Sequence, residues 1–273
     1  MQHAINKAND FNLAINVNVT NINSANIHTA ELLNDQNSNR SNPRQNQLLS
    51  QLGDLELSNF ENQLELVYLL RNQILCESGD TPIYMYFPTT AIISIQYLTD
   101  MGSSSEVAVV GNDGVVGVSL FMSNTKTINQ AQVYSEGYSY RLHAHLVKNL
   151  ISHSNIMLTL LLRYSHSMFT QVAQIAVCNR HHSVDQQLSR RLLMSLDRIN
   201  CNDIMMTQET IAKMLGVRRE SVTEAALKLQ DAGAIKYNRG HITVLNRKLL
   251  EKQSCECYAM NKKEHDKLSP CQS

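Results

Sequence analysis

The segment from Thr207 to Val244 constrains the fold of this chain most, because its residues predict a helix, a tight turn and a second helix. Thr207 can cap a helix by accepting a backbone N–H, and Glu209 in the first turn suits the positive end of the helix dipole. The first helix is predicted over residues 208–215. Gly216 supplies the left-handed conformation that ends this helix and permits the turn.

The second helix, predicted over residues 219–230, has one apolar face and one polar face. The polar face combines arginine with glutamate, serine and threonine, whereas a face that is only solvated is more often filled with lysine and glutamate. Its residues are Arg218, Arg219, Glu220, Ser221, Thr223, Glu224 and Lys228. This mixture near a helix N-terminus is typical of a recognition helix that enters the major groove of DNA.

Residues 235–244 predict a two-stranded hairpin, the wing, with Arg239 at its tip beside the DNA phosphates. Residues 207–250 contain eight basic and four acidic residues, a net charge of +4, although the whole chain has 24 basic and 24 acidic residues. A basic segment on an acidic body is typical of a phosphate-binding patch. The segment therefore predicts a winged helix-turn-helix that binds double-stranded DNA.

The rest of the chain predicts an antiparallel β-roll, a long helix and polar ends, so the fold class is α+β. Between residues 74 and 142, short runs rich in β-branched and aromatic residues are separated by turn residues, and a short helical pattern at 64–70 precedes them. The predicted units are a disordered Asn-rich tail over 1–46, a β-roll domain over 47–146, a dimerisation helix over 147–178, a winged helix-turn-helix domain over 179–250 and a flexible tail over 251–273.

A seam of alternating three- and four-residue steps in the long helix predicts a homodimer. Its members are Leu158, Leu161, Ser165, Met168, Val172 and Ile175. The seam is apolar except at Ser165 and has the spacing of a coiled coil. A helix packed in the core of its own chain would show a similar stripe, so both interpretations stay open at this point.

Three stretches resemble the helix-turn-helix and wing of the Crp/Fnr family of transcription regulators. They are residues 207–212 (Thr-Gln-Glu-Thr-Ile-Ala), 216–223 (Gly-Val-Arg-Arg-Glu-Ser-Val-Thr) and 229–244. The order of strands, Gly114-Val115-Val116-Gly117 and a heptad helix is similar to the sensor domain of the same family. The resemblance covers about residues 47–253. It implies a cyclic-nucleotide-binding-like β-roll and a homodimeric regulator that acts on an inverted-repeat operator and contacts RNA polymerase.

The resemblance also implies roles for single residues. Arg219 matches the guanine-reading arginine of the family and Glu220 its cytosine-reading glutamate. Glu224 stands where a second base-reading arginine is common, so the half-site should differ from that of the cyclic-AMP receptor. Arg218 stands where a small helix-capping residue is common in the family, and it is better interpreted as a phosphate contact. The other predicted DNA-binding residues are Thr207, Gln208, Ser221, Thr223, Lys228 and Arg239.

The sensor half departs from the cyclic-nucleotide binders of the family. Those proteins place Gly-Glu and Arg-Ser or Arg-Thr pairs around the nucleotide, whereas this chain has Gly114-Val115 and Asn129-Gln130. Because a buried cyclic phosphate would lack its partners, cyclic AMP is predicted not to bind, and the effector is left open. The iron–sulfur branch uses cysteines near the N-terminus, and none precedes Cys76, so no such cluster is predicted.

The cysteines predict no metal and no cofactor. Cys255 and Cys257 supply only half of a tetrahedral zinc site, and the only further ligands at usable spacing are His265 and Cys271. Cys178 is interpreted as a buried apolar residue rather than a ligand.

Two other classes of function stay open. One is a ligand-binding module whose winged helix contacts another protein, and the other is a thiol redox protein built on Cys255 and Cys257. No constellation of nucleophile, base and orienting group is visible, so no enzymatic activity is predicted. No apolar stretch reaches the roughly 18 residues of a spanning helix, and the scattered cysteines favour a reducing compartment, so a cytoplasmic protein without a membrane partner is predicted.

Overall fold

The N-terminal boundary of the β-roll domain lies earlier than the sequence predicts. The structure is a computed structural model that describes residues 42–100, 104–122, 126–198 and 202–267, without the side chains of His153 and His265. Most of the predicted Asn-rich tail lies outside these residues. Its last residue, Asn46, is fully buried and donates from its amide to the carbonyls of Pro88 and Gly114, each at 2.9 Å. The domain therefore begins before residue 47, because these buried hydrogen bonds belong to it.

In the described part of the first half of the chain, seven strands form two antiparallel sheets, which confirms the predicted β-roll. They are β1 (Glu65–Leu69), β2 (Ile74–Cys76), β3 (Tyr84–Pro88), β4 (Ile92–Leu98), β5 (Ser104–Val110), β6 (Asn129–Ser135) and β7 (Gly137–His143). One sheet has the order β1-β7-β3 and the other β2-β6-β4-β5. In β3, Tyr86 packs between the sheets whereas Met85 and Phe87 pack against helices, as expected for a strand covered on both faces.

Residues 64–70, for which the sequence predicts a helical pattern, contain strand β1 instead. This strand pairs with β7 from Glu65 opposite Arg141 to Leu69 opposite Gly137. The Glu65 carboxylate also forms an ion pair with the Arg141 guanidinium at 2.7 Å. Because a run of this length is too short for its periodicity to distinguish a helix from a strand, the pairing with β7 determines that it is a strand.

Among the residues that the structure describes, five α-helices accompany the β-roll, and the last of them is the predicted long helix. They are α1 (Gln47–Ser50), α2 (Asp54–Glu61), α3 (Ser119–Met122), α4 (Ala144–His153) and α5 (Asn155–His181). The prediction of a single helix over 147–178 is corrected, because the backbone is extended at Ser154. The Ser154 hydroxyl accepts from the Met157 N–H at 3.1 Å and thereby caps α5.

The second half of the chain forms the predicted winged helix-turn-helix. Its elements are α6 (Val184–Leu196), β8 (Asp203–Met205), α7 (Gln208–Leu215), α8 (Arg219–Asp231), β9 (Ile235–Asn238), β10 (His241–Val244), α9 (Arg247–Gln253) and α10 (Glu256–Asp266). Strands β8, β10 and β9 form a small antiparallel sheet in that order. The apolar faces of α6, α7 and α8 share one core, in which Leu192, Ile211 and Val222 are fully buried.

The predicted flexible tail over 251–273 is wrong for the residues up to 267. Helices α9 and α10 occupy most of this stretch, and Cys255, Cys257 and Tyr258 are buried. Helix α10 lies against α5 and α6. The local sequence does not show this packing, because the partner helices precede α10 by many residues. Residues 268–273 lie outside the described part of the chain.

A buried ion pair joins the two halves. The Arg191 guanidinium on α6 lies 2.9 Å from the Glu106 carboxylate on β5, and their side chains are only 2% and 5% exposed. The Ser94 hydroxyl donates to Glu106 at 2.7 Å, and Arg191 donates to the Ser195 hydroxyl at 2.7 Å. Arg191 also lies over the ring of Tyr134. Hydroxyl groups, an aromatic ring and the Met214 sulfur, which accepts from Arg191 at 3.5 Å, surround the pair, and such partners are what a desolvated charge pair requires.

Replacing Glu106 with Gln should lower the free energy of unfolding by about 3–5 kcal/mol, because Arg191 would remain buried without a countercharge. The matched control is Glu65→Gln, which breaks a pair whose side chains are 29% and 55% exposed and should cost less than about 1 kcal/mol. Urea unfolding followed by circular dichroism measures both variants. Equal losses for the two variants would contradict this description of the ion pair.

Candidate nucleic-acid interface

Helix α7, the first helix of the helix-turn-helix, is defined by the residues at its two ends. The Thr207 hydroxyl accepts from the Thr210 N–H at 3.1 Å, as its predicted role as a cap requires. Gly216 ends the helix with a φ of 66°, a left-handed conformation that is strained for other residues. The position of the turn therefore follows from these two residues, and α7 packs against both α8 and β5.

The recognition helix α8 separates an inner and an outer face as predicted. The buried inner face consists of Val222, Ala225, Ala226 and Leu229. On the outer face Arg218, Arg219, Glu220, Glu224 and Lys228 are exposed, while Ser221 and Thr223 are half-buried. Arg218 occupies the cap position and makes no side-chain capping bond. The N-terminus of α8 therefore presents backbone N–H groups and two arginines together, an arrangement that suits an anion.

Two of the predicted DNA-binding residues hold the helices together. The Thr223 hydroxyl donates to the Gln208 side-chain oxygen at 2.9 Å and thus links α8 to the first turn of α7. Glu224 and Lys228 form an ion pair at 3.3 Å, so their charges largely cancel. Arg218 and Arg219 have no ion pair with any residue that the structure describes. These two arginines therefore carry most of the positive charge at the start of α8.

The turn of the wing carries a third exposed arginine, Arg239. Asn238 pairs with His241, so Arg239 and Gly240 form a two-residue turn with φ values of 45° and 87°. Positive φ at both positions is typical of the turn that suits the twist of a hairpin. The Tyr237 N–H donates to the Gln230 side chain at 2.9 Å and fastens the wing to α8. Arg239 is therefore exposed at the tip of a wing whose base is held in place.

The β-roll contains a partly open cavity of about 540 Å³. Val115 and Asn129 line it, and they are the positions at which the sequence lacks an acid and a cation. Val115 is fully buried, and the Gln130 amide next to Asn129 donates to the Glu77 carboxylate at 2.6 Å. Gly114 lets helix α5 approach closely, since a Cβ there would lie 2.4 Å from the Tyr164 hydroxyl. Val115 and Asn129 thus place an apolar and an amide group in the cavity, and Lys126 is a cation elsewhere in its lining.

The predicted dimer seam is corrected at Leu161, which cannot contact a second chain because it is fully buried in its own core. Ile175 is also buried, and Met168 packs against the β-roll. Of the predicted seam residues Leu158 and Ser165 are half-buried, and only Val172 is exposed. One residue further round α5, Leu162 and Phe169 are 52% and 72% exposed. The helix carries two apolar stripes, and the one that faces solvent runs through Leu162, Phe169 and Val172.

Four side chains from two distant segments of the sequence lie together at the end of α5. They are Cys178, His182, Cys255 and Cys257. Cys178 is buried as predicted, but its Sγ lies 3.5 Å from that of Cys255. The hydrogen bond from Cys178 lowers the pKa of the Cys255 thiol. The available signal in the sequence is the four-residue spacing of Cys178 and His182, although His182 itself lies just past the end of α5. Cys271 and the side chain of His265 lie outside the described part of the chain.

Comparisons with known proteins agree with this geometry. Residues 186–253 match the family model of the Crp-like helix-turn-helix domain. A solved Crp/Fnr-family regulator from Eubacterium rectale is 20% identical, with a TM-score of 0.60 over 76% of this chain and 96% of that one. FixK2 from Bradyrhizobium japonicum is 14% identical, with a TM-score of 0.62 over 70% of this chain and 98% of that one.

A third solved structure, the c-di-GMP responsive global regulator CLP from Xanthomonas campestris, is 14% identical, with a TM-score of 0.57 over 70% of this chain and 99% of that one. None of the curated proteins compared with the chain matches it. Among the described residues, no helix has the length and apolar character needed to cross a bilayer. The chain thus carries a Crp-like helix-turn-helix domain and has the fold of Crp/Fnr regulators.

Proposed function

We propose that this protein is a sequence-specific DNA-binding transcription regulator that acts as a homodimer on an inverted-repeat operator. The observation that carries the proposal is the uncapped N-terminus of α8, where Arg218 and Arg219 are exposed and lack ion-pair partners among the described residues. RNA polymerase is the protein partner that such a role implies. The alternative of a winged helix that contacts protein is less well supported, because a protein surface does not require a cluster of cations at a helix N-terminus.

The contacts around α8 indicate different roles for its polar residues in binding DNA. Arg219 lies in the first turn, where its guanidinium can donate two hydrogen bonds to the O6 and N7 atoms of guanine, and Glu220 can accept from cytosine. Arg218 at the cap and Arg239 at the wing tip suit phosphates. Glu224 is engaged by Lys228, so neither is expected to discriminate strongly between bases. Gln208 and Thr223 bond to each other and therefore support the helix pair.

Replacing Arg219 with Ala should weaken binding to the preferred operator by about 1–3 kcal/mol and hardly change binding to random DNA, because only base contacts are lost. The matched control is Arg218→Ala, the neighbouring arginine. It should weaken binding to both DNAs similarly and reduce the logarithmic salt slope by about 0.9 per phosphate contact. Fluorescence anisotropy over a salt series measures both quantities. Equal losses for Arg219→Ala on operator and random DNA would contradict the placement of α8 in the groove.

The exposed stripe on α5 is the proposed dimer interface. Leu162, Phe169 and Val172 recur at the spacing of a coiled coil, and a large exposed phenylalanine on a long helix is explained by a second chain that covers it. The buried members of the predicted seam, Leu161 and Ile175, then belong to the core of each subunit.

Replacing both Leu162 and Phe169 with Asp should convert the dimer to monomers, because four carboxylates would meet in a desolvated interface. Sedimentation equilibrium measures the change. The control is Leu55→Asp, since Leu55 is a similarly exposed leucine on α2 and its replacement should leave the dimer intact. A dimer that survives the double substitution would move the interface elsewhere.

Cyclic AMP should not bind at micromolar concentration, because Val115 and Asn129 supply neither the acid for the ribose nor the cation for the phosphate. Isothermal titration calorimetry of the DNA-binding-competent dimer measures this directly. Saturable binding with a micromolar Kd would show that other groups in the cavity replace the missing pair.

A further inference from the structure

Three cysteines and a histidine meet at the junction between α5 and α10. Cys178 lies in the last turn of α5 and His182 directly follows this helix, while Cys255 directly precedes α10 and Cys257 lies in its first turn. Their ligand atoms all lie within 4.8 Å of one another, and the three cysteines are buried. The two segments are 77 residues apart in sequence at Cys178 and Cys255.

Two separations between these atoms fit a tetrahedral mononuclear site, and all of them lie within 4.8 Å. Bond lengths of zinc to sulfur and to imidazole nitrogen give tetrahedral edges of about 3.8 Å between sulfurs and about 3.6 Å between sulfur and nitrogen. In the structure, the Cys178 and Cys255 sulfurs are 3.5 Å apart, and the Cys257 sulfur lies 3.6 Å from His182 Nδ1. An iron–sulfur cluster places its ligands on different irons, which requires wider separations.

The outer ring nitrogen of His182 has the partner that a metal-bound histidine usually has. His182 Nε2 lies 3.2 Å from the Glu256 carboxylate, so it can donate to Glu256 while Nδ1 faces the Cys257 sulfur. A carboxylate in this position fixes the tautomer and orientation of a ligating imidazole.

The charge around the cluster points to an anion there. Arg190 is 3% exposed, donates to the Met194 sulfur at 3.3 Å and has no carboxylate partner among the described residues. A buried guanidinium without a countercharge is costly. Three thiolates, one neutral imidazole and one divalent ion carry a net charge of −1, which would balance Arg190. The positive charge of Arg190 interacts electrostatically with both Cys178 and Cys257.

We propose that Cys178, His182, Cys255 and Cys257 bind one zinc ion per chain, which fastens α10 to the end of α5. Binding releases the three thiol protons to solvent, and the imidazole binds in its neutral form. Because α6 begins at Val184, directly after the cluster, the metal would close a loop around the entire helix-turn-helix domain. It would thereby hold this domain against the proposed dimer helix. The site stands independently of whether the protein regulates transcription.

The first test is the metal content of the full-length protein, purified without chelators under reducing conditions. We expect one zinc per chain by inductively coupled plasma mass spectrometry, and substitution with Co²⁺ should give the intense visible spectrum of a tetrahedral thiolate site. Cys257→Ser should lose the stoichiometric zinc. Cys76→Ser is the control, since Cys76 lies on β2 in the β-roll and its replacement should leave the zinc in place.

The second test uses Glu256→Gln, because the Glu256 side chain is 75% exposed and its replacement should not affect folding. It should weaken zinc binding about 10- to 100-fold in competition with a chromogenic chelator, as expected for loss of a carboxylate behind a ligating histidine. Substoichiometric metal in the unsubstituted protein would overturn the proposal, as would a disulfide between Cys178 and Cys255 or the absorption of an iron–sulfur cluster.

Discussion

The buried ion pair between Arg191 and Glu106 is the interaction on which the arrangement of this protein depends. It joins α6 of the helix-turn-helix domain to β5 of the β-roll, and the first helix of the helix-turn-helix also packs against β5. A pair of charges out of contact with water is tolerated only when its geometry and hydrogen bonds are maintained. The direction in which α8 presents Arg219 is therefore set by a strand of the other domain as well as by its own core.

The helix-turn-helix could be predicted because its determinants are local. Thr207 and Gly216 fix the ends of α7 within ten residues of each other, and both act as predicted. The dimer seam could be predicted only in part, since α5 carries two apolar stripes one residue apart. Periodicity does not tell which stripe faces the β-roll, and the structure shows that Leu161 does whereas Leu162 does not.

The cysteine cluster and the C-terminal helix could not be predicted because their contacts are long-range. Cys255 and Cys257 look like half of a metal site when only nearby residues are counted, and their partners lie on a helix that precedes the whole winged helix-turn-helix. Packing against α5 and α6 also explains why the predicted flexible tail contains helix α10. Both the cysteine cluster and the packing of α10 form only when two distant segments come together. Whether they do so depends on the fold of the winged helix-turn-helix between them.

Selection of bound sequences from a random DNA pool with the full-length protein shows whether it recognises an inverted-repeat operator. The account predicts enrichment of an inverted repeat with half-site centres roughly 34 Å apart, about one helical turn, because two recognition helices must enter successive major grooves on one face. Each half-site should contain an invariant guanine that is lost when Arg219 is replaced by Ala. Failure to enrich any sequence, or enrichment of a site without two-fold symmetry, would contradict it.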